Sequence, residues 1–264
     1  MIRSIARAIA LGCFAVYVAL FPGSTLTTAF DAIPPDGAWL GPALLIGQGV
    51  AAFAWMVARW GGRGAAMALV ALSVAWAAEH LGETRGLPFG RYRYTDAIQP
   101  QLFDVVPVPI LLAWLMLALG AWQLARISQP GGPWLVAALS AMLVVVIDLQ
   151  IEPVTTLVHG YWQWIDTGSY YGVPPLNFAG WALVGFVIAG AFERWLGAAP
   201  APAAGRLGWL AEHIPALLFV LNALMFTVIN LVRGYTLAGG VGLAFLAVWW
   251  WVARRIAARA AAAR

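Results

Sequence analysis

The sequence contains no lysine: all fifteen of its basic residues are arginines. Without a lysine, a retinal or pyridoxal Schiff base and a P-loop are excluded. The single cysteine, Cys13, lies in an apolar run, which excludes intrachain disulfides and thiolate metal clusters. Charge of either sign is scarce. Only 10% of residues are charged, where a soluble domain carries about a quarter. With 62% hydrophobic side chains and a mean hydropathy of +0.82, the chain is not built for water. Disordered, collagen-like and disulfide-stapled classes fall to the same arithmetic. The pI near 9.6 is no nucleic-acid signal, because the arginines flank apolar runs rather than clustering on a polar face.

In place of charge stand apolar runs, and a span needs about 20 apolar residues. Candidates are Ile5–Phe21, Trp39–Ala58, Gly64–Leu81, Val106–Ala125, Trp134–Leu149, Asn177–Leu196, Ile214–Val232 and Thr236–Ala253. They predict an all-α polytopic membrane helical bundle of about eight transmembrane helices, one integral membrane domain over residues 1–264. Gly197–Gly208 has a linker's composition. With a cytoplasmic N-terminus, eleven arginines fall on the inner side, including Arg3, Arg7, Arg59, Arg126 and Arg264. Only Arg85, Arg91, Arg93 and Arg233 fall outside. This predicts the inner (plasma) membrane, with both termini cytoplasmic. The first run also resembles a signal peptide, since Arg3 and Arg7 precede it, but no convincing A-x-A site follows.

Two external segments share a pattern. One carries Glu79 and Glu83, then Gly90, Tyr92, Tyr94 and Asp96, then Pro107 and Trp114. The other carries Asp148 and Glu152, then Gly160, Trp162, Trp164 and Asp166, then Pro174 and Trp181. Each has two acids four apart, a glycine with aromatics at two and four residues and Asp at six, and a proline seven before a tryptophan. The pattern predicts a duplicated helix–loop–helix hairpin, about 64–125 and 134–196, with a period of about 70 residues.

Acids at a hydrocarbon boundary are costly and mark function or fixed pairing. Glu79, Glu83, Asp148 and Glu152 are the candidate catalytic residues, although any one of them could simply pair with Arg85, Arg91 or Arg93. Carboxyls crowded in an apolar site cannot all ionise, which leaves an acid beside a base. Pro153 should end its helix at about Glu152. Tyr92, Tyr94, Trp162, Trp164 and Tyr171 are read as a substrate-binding π-lined pocket, with an interfacial belt as the structural alternative. Asn177 opens the sixth run and Asn230 lies toward the external end of the seventh; both are placed at the pocket. Asn222 reads as an interhelical hydrogen bond. The three histidines, His80, His159 and His213, do not suit a bis-histidine haem, and no D-D-x-x-D cluster offers magnesium ligands. No metal or other cofactor is expected.

PFGRYRY at Pro88–Tyr94, VPVPILLAW at Val106–Trp114 and GSYYGVPPLNFAGW at Gly168–Trp181 resemble the CruF-type carotenoid hydratase family. The resemblance runs from about Glu79 to Trp181. It implies cofactor-free hydration of the terminal C-1′,2′ double bond of an acyclic carotenoid ψ-end, a lyase reaction of carotenoid biosynthesis. Its partners would be the polyene, water and membrane lipids, with no nucleic acid. The resemblance assigns no catalytic residues; acid and base are expected on the deeper members, Glu79 and Asp148, with Glu83 and Glu152 tuning them or positioning water. An end-group cyclase or isomerase would use the same cation, and intramembrane acids in duplicated hairpins also suit a non-catalytic lipid transporter.

Overall fold

A computed structural model describes residues 1–128, 131–197 and 205–262. Arg264 and most of the 197–208 linker lie outside these residues. Eight helices in it are long and apolar enough to cross a membrane. They are α1 (Ile2–Ala29), α2 (Leu40–Trp60), α3 (Gly62–Arg85), α4 (Val108–Ser128), α5 (Pro133–Pro153), α6 (Pro175–Trp195), α7 (Gly205–Val232) and α8 (Thr236–Ala262). Most extend beyond the apolar runs. The differences are largest in α1, α7 and α8; α7 begins at Gly205 inside the expected linker, because Gly205–His213 continues the helix on interfacial residues such as Trp209.

Local chemistry sets the helix ends. Pro133 and Pro175 open α5 and α6 at the position where the missing N–H costs nothing. Gly61, at φ 62°, is both the last cap of α2 and the first of α3, turning the chain without a loop. Pro153 ends the α-helical part of α5 within a residue of the expected end, but the coil does not stop there. The chain continues through a π turn at Val154–Val158, where Thr155 and Thr156 hydroxyls donate to carbonyls of Ile151 and Glu152. The wider turn accommodates the proline without ending the coil.

α4 is the central helix, buried nearly throughout from Pro109 to Ala125, and it packs against α2, α3, α5, α6 and α7. α1 lies on α2 and α7, while α8 lies on α7 and α5. Large apolar side chains point outward instead: Leu69, Met142, Leu183, Val248 and Trp250 are all exposed, as a lipid solvent requires. Polar side chains join the helices where the sequence breaks them. Pro215, inside α7, has no N–H for the carbonyl of Ala211, and the Trp55 indole donates to that oxygen at 2.9 Å. One residue along, Gln123 donates to the Glu212 carbonyl (2.7 Å) and accepts from the Ala216 N–H (2.9 Å). The Arg59–Glu212 and Arg126–Glu193 pairs belong to this end of the bundle.

The opposite end carries short strands. β1 (Tyr92–Tyr94) pairs antiparallel with β4 (Trp162–Trp164), so that Tyr92 faces Trp164, Arg93 faces Gln163 and Tyr94 faces Trp162. A second pair, β2 (Gln101–Leu102) and β3 (Val106–Pro107), leads into α4. Thr95 extends the first pairing through its N–H to Tyr161 O (3.0 Å) and its hydroxyl to Gly160 O (2.6 Å).

Candidate active site

β1 and β4 close a cavity of about 630 Å³ whose walls come from α1 to α7 and both strands. Alternation along a strand puts residues two apart on one side. Tyr92 and Tyr94 therefore face inward together, and so do Trp162 and Trp164, all four lining the cavity.

Two of the four expected acids open onto it. Glu79, on the last turns of α3, is 4% exposed and lines the cavity. Its Oε2 accepts from the hydroxyls of Tyr92 (2.5 Å) and Tyr94 (2.7 Å), and its Oε1 accepts from the indole of Trp114 (2.6 Å). Glu152, at the end of α5, is 1% exposed and also lines the cavity. Its Oε2 accepts from the indoles of Trp164 (2.9 Å) and Trp162 (3.3 Å), and its Oε1 accepts from Asn177 Nδ2 (3.0 Å). Each carboxyl is thus held by two aromatic donors from its own strand and one from a helix beyond. No arginine pairs with either among the described residues.

The other two acids stand elsewhere. Asp148 is fully buried behind this wall and does not line the cavity; Asn177 Nδ2 donates to its Oδ2 (2.8 Å), and its Oδ1 has no partner among the described residues. Asn177 therefore bridges Asp148 and Glu152. Glu83, one turn beyond Glu79, is half-buried off the cavity, with Arg93 and His80 as its titratable neighbours. The deeper pair Glu79 and Asp148 is replaced at the cavity by Glu79 and Glu152, the acid one turn nearer the strands on α5. Tyr171 packs on Tyr170 and Tyr235, off the cavity. Asn230 is also off it, donating to the Gln150 carbonyl of α5 (2.8 Å).

The rings form a continuous wall. Trp114 stacks on Trp181 at 4.1 Å, Tyr92 packs on Trp164 at 5.2 Å, and Tyr94 meets Trp162 edge-on at 6.1 Å. Burial, then the adjacent Glu79 carboxyl, holds the Tyr92 and Tyr94 phenols well above the ordinary value near 10. They remain donors across physiological pH. Burial pushes His159, another lining residue, down to about 4, so it stands neutral at the cavity edge. Outside, Arg91 and Asp166 tie the two strands' flanks together, guanidinium to carboxylate at 2.8 Å. Among the described residues, no three His, Cys, Asp or Glu side chains gather in a geometry that would hold a metal ion.

Two aromatic-held carboxyls thus line one largely apolar cavity inside a bundle of membrane-length helices. The chain matches the profile of the carotenoid biosynthesis protein family over residues 40–249. It belongs to that family. It is also 32% identical over 129 residues to a bisanhydrobacterioruberin hydratase of Haloarcula japonica. That alignment covers 47% of this chain and 43% of the relative, so less than half of the relative's length is matched. No solved structure matches the chain. The family match contains Glu79, Glu152 and both strands.

Trp114, whose indole is the third donor to Glu79, was visible in the sequence only as the tryptophan repeated at Trp181. Tyr17 and Gln48, which line the cavity from α1 and α2, carried no signal beyond lone polar groups in apolar runs. A buried polar side chain in a span was the available hint.

Proposed function

We propose that this chain hydrates the terminal trisubstituted double bond of an acyclic carotenoid end, with Glu79 and Glu152 dividing the proton transfers. A proton from one carboxyl adds to the inner alkene carbon and leaves a tertiary cation on the outer one. Water bonds to that cation, and the other carboxyl takes the proton that the water releases. One water is gained with no net oxidation or reduction, and no redox cofactor is required. Proton transfer needs a positioned acid and base, and the observation that carries the reading is the pair of carboxyls lining one aromatic cavity. The ring faces of Trp114, Trp162, Trp164 and Tyr92 supply the negative quadrupoles that stabilise the cation. Asp148 acts through Asn177 as a positioning residue for Glu152.

The duplication belongs to this reading. Tyr92 facing Trp164 and Tyr94 facing Trp162 is the pairing that a two-fold axis through Arg93 and Gln163 would produce. It supports Glu79 and Glu152, each bonded to its own strand's aromatics, as the related acids. The chain works in the plasma membrane with both ends on the cytoplasmic side and the strands outside, a reading supported by the arginine bias toward the α2–α7 ends. Surrounding lipid delivers the polyene.

Expression in cells that accumulate lycopene, followed by mass spectrometry of the pigments, tests the reaction. The expected product gains one water per reacted end with little change in absorption. An isomeric product of unchanged mass would replace hydration by cyclisation.

A further inference from the structure

A second pocket lies at the other end of the bundle, away from the strands. It encloses about 300 Å³ between α1, α2 and the first turns of α7, and three arginines line it: Arg3, Arg7 and Arg59. One carboxylate stands against them. Glu212 takes Arg59 Nη1 at 2.6 Å, and among the described residues neither Arg3 nor Arg7 has a carboxylate partner. Arg7 is also the like charge that bears on Arg59. Cations gathered in a concave, partly apolar site repel one another, and an anion between them relieves that repulsion. The two remaining guanidiniums are placed to share one. Arg3 and Arg7 are four residues apart, on one face of α1. A Cβ on Gly61 would sit 3.3 Å from Arg3 Nε and 3.4 Å from its Nη2, so the Arg3 head folds back over the α2–α3 turn.

We infer that Arg3 and Arg7, backed by the Arg59–Glu212 pair, hold the phosphate group of an anionic glycerophospholipid in this pocket. A guanidinium fork matches phosphate oxygens, two parallel N–H donors to two acceptors. The level of the site favours a lipid headgroup over free phosphate. Trp209 on α7 and Trp250 and Trp251 on α8 are exposed at this end, and Arg254 and Arg255 lie over the last two rings at 4.7 and 4.1 Å. Such rings mark the membrane–water interface. Beside Arg3 and Arg7, α1 exposes Ile2, Ile5 and Ile9, a surface for acyl chains. Trp55, Ala58 and Ile214 give the pocket an apolar floor for the glycerol end. A lipid seated there joins α1 to α2 and α7. The family match begins at residue 40, so α1 lies outside it and yet lines the carboxyl cavity. The lipid thereby fastens a cavity wall to the shared region, and its binding does not depend on the reaction proposed for that cavity.

The test titrates the purified full chain, in a neutral maltoside detergent, with phosphatidylglycerol, phosphatidylcholine or inorganic phosphate. Native mass spectrometry counts the lipid retained, and thermal unfolding reads its effect. One phosphatidylglycerol should be retained and should raise the melting temperature, while phosphatidylcholine does neither. An arginine beside charged lipid is worth about fivefold, so Arg3→Gln with Arg7→Gln should weaken that affinity by roughly 25-fold. Arg254→Gln with Arg255→Gln, at the same level but outside the pocket, should leave it unchanged. Equal losses in the two double variants, or equal retention of both lipids, overturns the site. Stabilisation by inorganic phosphate with none by phosphatidylglycerol would keep the phosphate site and overturn the lipid as its source. If the Arg3, Arg7 double variant is not recovered folded, Arg3→Gln alone, at an exposed position, decides: a fall of about fivefold supports the site and undiminished affinity overturns it.

Discussion

Replacing Glu79 by Gln and by Leu separates proton transfer from the fold. Three donors converge on this carboxyl: the hydroxyls of Tyr92 and Tyr94 and the indole of Trp114. Indole can only donate, so in Glu79→Gln the amide oxygen must face Trp114 and the NH₂ must face the two phenols. Hydroxyls accept as well as donate, and both can turn to receive it. All three contacts survive as neutral hydrogen bonds, weaker than charge-assisted ones by about 1 kcal/mol each, so the cost is at most about 3 kcal/mol. In Glu79→Leu, three buried donors lose their acceptor at about 1–3 kcal/mol each, or about 3–9 kcal/mol together. That approaches the whole stability of a domain, about 5–15 kcal/mol. Glu79→Gln should therefore be recovered folded in the membrane, with hydration reduced by about 10²-fold or more because the amide cannot exchange a proton. Glu79→Leu should be recovered poorly. Thermal unfolding in detergent and pigment mass spectrometry read both effects. Hydration within tenfold of normal in a well-folded Glu79→Gln would refute the role of this carboxyl.

Three further outcomes follow from the same geometry. Glu152→Gln should lose hydration as severely as Glu79→Gln, whereas Asp148→Asn, off the cavity and coupled only through Asn177, should retain more; an inverted order in the same assay would return the proton transfer to Asp148. A Cβ on Gly82 would sit 2.7 Å from the Phe89 ring and 2.8 Å from the Tyr92 hydroxyl. Gly82→Ala should then cost about 1–3 kcal/mol and displace Tyr92 from Glu79, lowering melting temperature and turnover together. Hydrogen bonds from Arg91, side chain first and then backbone, hold the exposed Asp166 carboxyl below its ordinary value. A lowered folded value means the tie stabilises above the unfolded value near about 4 and is lost as pH falls through the folded one. Asp166→Asn should remove this acid-side slope from melting temperature against pH and leave neutral-pH turnover unchanged.

The sequence made the bundle legible because a lipid solvent imposes so simple a rule: long apolar runs become helices. It was less informative about ends, since interfacial residues such as Gly205–His213 continue a helix beyond its apolar core. The acids and the period-two aromatics were legible as a cluster, and the paired strands bring Tyr92, Tyr94, Trp162 and Trp164 to one cavity. Which acids face it was not legible. Spacing alone aligned Glu79 with Asp148, and it does not determine which of two acids one turn apart on α5 reaches the cavity. Tyr171 and Asn230 shared the right depth but point to other helices, a matter of rotation that depth does not determine.

The most direct test of the two-carboxyl hydration is turnover of lycopene by the purified protein in water labelled with both oxygen-18 and deuterium. The account predicts one oxygen-18 in each new alcohol and one deuterium on the adjacent carbon, with neither label incorporated by Glu79→Gln or Glu152→Gln. Alcohol oxygen drawn from any source other than water, or full labelling by both variants, would contradict it.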